Sequence, residues 1–340
     1  MPVELLRPPA LRPGDRVAVV SPAWGGPADL PEPYRRGLEA MRSAGFGLRV
    51  MPHAEARRND WVSATAAERA ADLMAAFADP DVRGIVCTIG GNHSAQLLPH
   101  LDLDVIRTHP TVLCGYSDIT TVLQGLHART GLVGMYGPAV IPQWGAVGGV
   151  LPYVADHFAS VTGRVEAAGA LPRVGYEVHD DDFDRAEATE TPLRQSPAVP
   201  REPLRAGRAE GPLLAGCLPS CRHLIGTPWQ PDYTGRVLVL ETPEPPYQLE
   251  DADADLTHLR LAGCLDNLAA LVLCRPYRWD AATTSAFHDV VMDHVRGLDY
   301  PVLARVEGGH TDPLPTYPIG VRTFVDASAA EIVFTEAAVA

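Results

Sequence analysis

The chain has 340 residues, 46% of them hydrophobic, and a formal net charge of -14, with a pI near 5.2 and a mean hydropathy of -0.02. It is long enough to bury two cores, and its acidity argues against nucleic acid or an anionic membrane surface as a partner. No apolar run approaches the roughly 20 residues that span a bilayer, and the opening Met1-Pro2-Val3-Glu4 lacks the basic-then-apolar layout of a signal peptide, which implies a cytoplasmic protein.

In the first half, strand-like and helix-like segments alternate. A strand is expected over Arg16 to Ser21, ending in a turn of small residues, then a helix over Tyr34 to Ala44 and a strand over Phe46 to Met51. The alanine-rich stretch Ala66 to Ala78 has helical propensity and periodicity and is closed by Asp79-Pro80. Gly84 to Ile89 is a buried strand running into Gly90-Gly91-Asn92 and a helix through Leu98; Thr111 to Cys114 is another strand. Such alternation implies an α/β fold with a mostly parallel sheet whose ligands bind at the carboxyl ends of the strands. From about residue 145 to 211 the pattern gives way to proline, acidic residues and arginine, the composition of a linker or a substrate-covering loop. The last third carries strand signals at Val237 to Glu241, Ala270 to Cys274, Pro301 to Arg305, Gly320 to Val325 and Glu331 to Phe334, with helices over Leu256 to Cys264 and Ala281 to Val295. The expected organisation is an N-terminal Rossmann-like domain (1–160), a linker and covering loop (161–210), and a strand-rich α+β domain (211–340).

The apolar run Thr111-Val112-Leu113-Cys114 stops at Gly115-Tyr116-Ser117-Asp118 and resumes as a helix at Ile119. That strand–turn–helix layout exposes the Ser117 hydroxyl at a strand end, above backbone N–H groups free to hold an oxyanion. Ile119 stands where a G-x-S-x-G elbow has its second glycine. The sequence contains no lysine, so a Ser–Lys dyad, a Walker A lysine and a pyridoxal-phosphate Schiff base are excluded, and the base for Ser117 has to be histidine or a carboxylate. Among twelve histidines, His310 stands apart on a glycine-flanked loop directly after a strand. Glu241 closes the strand from Val237 and is placed to orient a histidine; Glu244 and Asp251 are the alternatives. Cys217, Cys221 and His223 match no zinc-ligand spacing, so no metal and no cofactor are expected.

Several blocks resemble the LD-carboxypeptidase family of serine peptidases: Leu11-Arg12-Pro13-Gly14-Asp15, Arg69-Ala70-Ala71-Asp72-Leu73, Gly90-Gly91-Asn92 with Leu97-Leu98-Pro99, Gly115-Tyr116-Ser117-Asp118-Ile119-Thr120, Gly226-Thr227-Pro228, Arg260-Leu261-Ala262-Gly263 and Gly309-His310-Thr311. They run through the chain in the family's order. The resemblance implies a Ser117–Glu241–His310 triad between a Rossmann-like and a strand-rich domain, an oxyanion hole from the amides of Gly91 and Asp118, and a homodimer. Substrate contacts are expected from Gly90, Asn92, Tyr176, Phe183 and Thr311.

Asn92, Tyr136-Gly137-Pro138 and Glu241-Thr242-Pro243-Glu244 resemble the microcin C self-immunity branch, which cleaves aminoacyl-nucleotide-like amides, more than the branch that trims cell-wall tetrapeptides. Two departures stand out. Tyr176 and Phe183 occupy the loop where the immunity branch carries two tryptophans, and Ala215-Gly216-Cys217 replaces a Gly-Gly-Asn block. Four readings follow: a serine amidase acting on a small peptide or aminoacyl-nucleotide-like compound, a muramoyl-tetrapeptide LD-carboxypeptidase of cell-wall recycling, an acyltransferase using the same residues, and a binding protein that retains the fold.

Overall fold

The computed structural model describes residues 4–178 and 195–340; Phe183 lies outside them. Among the described residues, sixteen strands form two large sheets and a hairpin. In chain order they are β1 (Arg16–Val20), β2 (Gly47–Val50), β3 (Val82–Cys87), β4 (Val112–Gly115), β5 (Met135–Tyr136), β6 (Ala167–Ala170), β7 (Tyr176–Val178) and β8 (Gln195–Pro197). They continue with β9 (Glu202–Arg205), β10 (Arg208–Cys217), β11 (Val237–Glu241), β12 (Ala270–Cys274), β13 (Val302–Val306), β14 (Tyr317–Pro318), β15 (Arg322–Asp326) and β16 (Glu331–Ala337).

The first sheet has the order β14-β5-β4-β3-β1-β2. Its five N-terminal strands are parallel, and β14, from the C-terminal half, adds on antiparallel to β5. In β1 and β3 the apolar residues run on without alternation because helices cover both faces of a parallel sheet, so nearly every position is buried. The helix Ala66–Ala78 starts where the sequence places it. Thr65 accepts a hydrogen bond from the Glu68 amide while Glu68 reaches back to the Thr65 N–H, a reciprocal cap.

The second sheet has the order β6-β16-β15-β10-β11-β12-β13-β9. Its centre, β10 to β13, is parallel, and the flanking pairs are antiparallel. β11 and β12 are buried at every position. Part of the expected 161–210 linker is therefore built into this sheet, since β6 and β9 form its two edges. The longest strand, β10, falls where no strand was expected over its length. Gly211, Pro212 and Gly216 interrupt its apolar run, and only its partners on either side make it a strand.

The two sheets direct carboxyl ends at one another. The helix Thr120–Thr130, which follows β4, packs on the end of β10: Thr120 Oγ1 accepts the Cys217 N–H at 3.0 Å, and the Gln124 amide donates to the Ala215 carbonyl at 3.1 Å. One continuous apolar core joins both sheets.

Candidate active site

β4 ends at Gly115, and the chain turns through Ser117 into a short 3-10 turn, Ser117–Ile119, before the helix Thr120–Thr130. Ser117 has φ = 61°, a left-handed conformation that costs an L-residue roughly 1–2 kcal/mol. The turn that strains it also lifts its side chain clear of the sheet. Gly90, at the end of the neighbouring strand, faces it. A Cβ on Gly90 would lie 2.9 Å from Ser117 Cβ, 3.0 Å from Oγ and 3.3 Å from the Asp118 amide nitrogen. The side-chain-free face of Gly90 is thus a space within reach of both the hydroxyl and an N–H donor.

The loop that includes Gly91 is tied down from below. The Asp118 carboxylate accepts the His93 and Ser94 amides at 2.8 and 2.7 Å, and Ser94 Oγ donates to the Asp118 carbonyl at 2.6 Å. Burial raises the Asp118 carboxyl above its usual range, and the Ser94 and His93 hydrogen bonds oppose that. Arg69, buried under the same loop, donates to the carbonyls of Ala64, Pro22 and His93 and to the Gln96 amide oxygen, so one guanidinium fixes the turns after both β1 and β3. Asn92 points outward and is exposed.

The second sheet supplies the other groups. Glu241 is the last residue of β11, opposite Cys217 in register. His310 stands on the loop after β13. Its Nδ1 lies 2.8 Å from Glu241 Oε2 and its Nε2 lies 3.1 Å from Ser117 Oγ. Gly309, at φ = 72°, makes the approach possible, because a Cβ there would stand 2.6 Å from Glu241 Cβ. Ser117, His310 and Glu241 are therefore brought together as the sequence reading expected, from three strand ends on two sheets.

Tyr136 completes the constellation, and the sequence reading assigned it no role of its own. Its hydroxyl donates to Glu241 Oε1 at 2.5 Å and accepts the Ser117 N–H at 3.2 Å. One buried phenol thus links the backbone of the serine to the carboxylate behind the histidine. Its signal in the sequence was the position at a strand end beside the Ser117 strand, which a parallel sheet makes adjacent.

The other expected contacts divide. Tyr176 lies on β7, whose last residue, Val178, pairs with Asp312, two residues past His310. Thr311 is 1% exposed, and its hydroxyl is enclosed without a partner among the described residues, so it presents no open surface to a ligand. Asp251 caps the helix Leu249–Leu261 and takes no part, whereas Glu244 Oε2 lies 2.8 Å from His310 Nε2. Burial by itself would lower the His310 pKa; the carboxylates of Glu241 and Glu244 overcome it and hold it up to about 10. Cys217, Glu241 and His310 have ligand atoms within 4.8 Å of one another. The thiol is held protonated, first by burial and then by the Glu241 charge, and the two other groups already bind each other. Cys221 and His223 do not join this cluster.

A strained serine on a strand–helix turn, within hydrogen-bond reach of a histidine that a buried glutamate orients, has the geometry of a serine hydrolase site. Residues 17–137 match the LD-carboxypeptidase N-terminal domain and residues 210–325 the LD-carboxypeptidase C-terminal domain. The chain belongs to the LD-carboxypeptidase family. This family member is accordingly a hydrolase of the serine peptidase type.

It is 32% identical to a Streptomyces coelicolor protein named as a candidate carboxypeptidase, over 95% of this chain and 94% of that one. It is 27% identical to the microcin C7 self-immunity protein MccF of Escherichia coli, over 95% and 94%. The structure of MccF in complex with aspartyl sulfamoyl adenosine superposes with a TM-score of 0.91 at 26% identity, over 98% of this chain and 100% of that one. A murein tetrapeptide carboxypeptidase of Pseudomonas aeruginosa is 36% identical over 124 residues, 36% of this chain and 39% of that one. No helix among the described residues is long and apolar enough to cross a membrane.

Proposed function

We propose that this chain hydrolyses an amide bond in a small peptide or aminoacyl-nucleotide-like compound through an acyl-enzyme on Ser117. The observation that carries this reading is the hydrogen-bond relay from Ser117 Oγ through both ring nitrogens of His310 to Glu241. In the reactive state His310 takes the serine proton as Oγ attacks the carbonyl, and Glu241 stabilises the imidazolium that forms. The developing oxyanion occupies the space beside Gly90, held by the amides of Asp118 and Gly91. His310 then protonates the leaving amine and activates the water that releases the acyl group.

MccF, with its aspartyl sulfamoyl adenosine complex, favours the aminoacyl-nucleotide class. The murein carboxypeptidase relative supports the tetrapeptide as a second reading. Tyr176, on the β7 strand that pairs with the His310 loop at Asp312, is the proposed residue for an aromatic group of the substrate to stack on. The protein works in the cytoplasm as a homodimer, which light scattering of the purified protein checks. Mass spectrometry of incubations with a muropeptide tetrapeptide and with an aminoacyl sulfamoyl-adenosine separates the two substrate classes, and added amine acceptors report acyl transfer. Ser117→Ala is expected to abolish turnover by at least about 1,000-fold with the fold intact by circular dichroism. Retained turnover in that variant refutes the mechanism.

A further inference from the structure

His310 Nε2 faces two groups at once: Ser117 Oγ at 3.1 Å and Glu244 Oε2 at 2.8 Å. An imidazole nitrogen carries at most one proton. While a carboxylate accepts that proton, Nε2 has no lone pair to offer the serine. Hydrogen-bonded at Nδ1 to Glu241 and within ion-pair distance of Glu244 at Nε2, His310 is favoured as an imidazolium between two carboxylates, and an imidazolium is not a base.

The two carboxylates are built differently. The Glu241 side chain is 1% exposed and also receives the Tyr136 hydroxyl, whereas that of Glu244 is 58% exposed. Glu244 follows the end of β11 and reaches the histidine from the solvent side, so an incoming ligand can take it. The charge that acts on it is that of His310, which holds its carboxyl down to about 2 against the opposing effect of burial.

Asp312, two residues past His310, adds a carboxylate to these surroundings. The Tyr116 ring lies 5.0 Å from the His310 ring. Tyr116 is raised by burial first and then by Asp312, Glu244 and Glu241, and the Cys217 thiol by burial and Glu241. Arg201 and Arg275 are paired with Glu307, and Arg222 with Asp255. The chain has no lysine to offer. A substrate carboxylate arriving at this side meets Glu244; an ammonium or guanidinium meets a partner.

We propose that Glu244 selects substrates carrying a positively charged group close to the scissile carbonyl, and that the salt bridge they form with it frees His310 for catalysis. The proposal rests on the amide-hydrolase reading above and names its substrate class. On binding, the cation takes the Glu244 carboxylate, the Nε2 proton passes to water, and Nε2 becomes the acceptor for the Ser117 hydroxyl proton. No other bond is made or broken in this step. Glu244 acts as a selector and a latch.

The test uses the full chain and a matched series of aminoacyl sulfamoyl-adenosines and aminoacyl-D-alanine dipeptides bearing lysyl, glutaminyl or glutamyl groups. The wild type is expected to favour the lysyl over the glutamyl member by at least about tenfold in kcat/KM. Glu244→Gln should erase that preference. For the glutaminyl member it should also move the ascending limb of the kcat/KM–pH profile to lower pH, because one of the two carboxylates holding the His310 proton is gone. Glu244→Lys should invert the preference. Calorimetry of Ser117→Ala with the lysyl member, in buffers of different ionisation heat, should show a proton released on binding, and that release should vanish in Ser117→Ala/Glu244→Gln.

A wild-type preference for the glutamyl member overturns the proposal, as does a charge preference that survives in Glu244→Gln. If no member is turned over and a fluorophosphonate fails to label Ser117, the hydrolase reading itself falls and takes the proposal with it. Labelling and turnover without charge preference overturn the proposal alone.

Discussion

At Ser117 the backbone adopts φ = 61°, and three neighbours pay attention to that one residue: Gly90 by having no side chain, Tyr136 by accepting its N–H, and His310 by facing its hydroxyl. Gly90→Ala would place a methyl group against Ser117 Cβ and Oγ, and the backbone contact cannot slide away. The expected result is a loss of at least about tenfold in kcat together with a loss of about 1–3 kcal/mol in stability, measured by steady-state kinetics and calorimetry. Tyr136→Phe leaves Glu241 Oε1 and the Ser117 N–H without a partner in a buried site. It should cost about 1–3 kcal/mol in urea denaturation and lower kcat as Glu241 loses its fixed orientation. His310 has a pKa raised from 6.5 to about 10 in the folded state. Its contribution to stability is therefore complete below about pH 6.5 and lost as pH rises through about 10. Denaturation midpoints between pH 6 and 10 should fall in the wild type and fall less in Glu244→Gln.

Among the elements, those with strong local signals were legible in the sequence. The helix Ala66–Ala78 was readable because alanine propensity, an apolar stripe and a terminal Asp79-Pro80 agree. Its reciprocal cap makes a local prediction: Thr65→Ala should cost about 1 kcal/mol in chemical denaturation and leave kcat/KM unchanged, since Thr65 lies on the surface away from Ser117. β11 and β12 were legible because each is an apolar run of four or five residues next to turn residues. β10 was not, although it is the hinge between the parallel and antiparallel parts of the second sheet. Its glycines and proline read as loop, and its strand state comes from pairing with β11 and β15. The helix expected from Leu256 begins seven residues earlier, at Leu249, because Gln248 and Asp251 cap it, a signal that the acidic run conceals.

Across the whole molecule, a buried ion cluster holds the His310 loop. Glu307 receives Arg201 at 2.7 Å and Arg275 at 3.2 Å, and it accepts the Val174 amide at 3.2 Å. Arg201 also donates to the carbonyls of Leu171, Pro172 and Ala330. This cluster joins the segment before β7 to the loop that carries the histidine. Glu307→Ala leaves two guanidinium groups uncompensated and is expected to cost about 3–5 kcal/mol, read from denaturant midpoints. Arg201, which lies in the stretch that composition marked as linker, is 8% exposed; composition reports solvent preference, and a buried charge with a full set of partners escapes it.

By itself, the sequence determined the α/β alternation, the serine on its strand–helix turn and, through its lack of lysine, the kind of base the serine requires. These are local matters, settled by periodicity, turn chemistry and residue inventory within some ten residues of each site. Ordered blocks resembling a family then named Glu241 and His310. Only the tertiary structure decided that Tyr136 bridges the serine to the glutamate and that Thr311 is enclosed. It alone places Glu244 Oε2 2.8 Å from the His310 nitrogen that faces Ser117. Those relations join residues more than a hundred positions apart, such as Tyr136 and Glu241, or depend on which way a side chain turns within a shared loop. Strand order and packing fix both, and neither leaves a trace in local sequence.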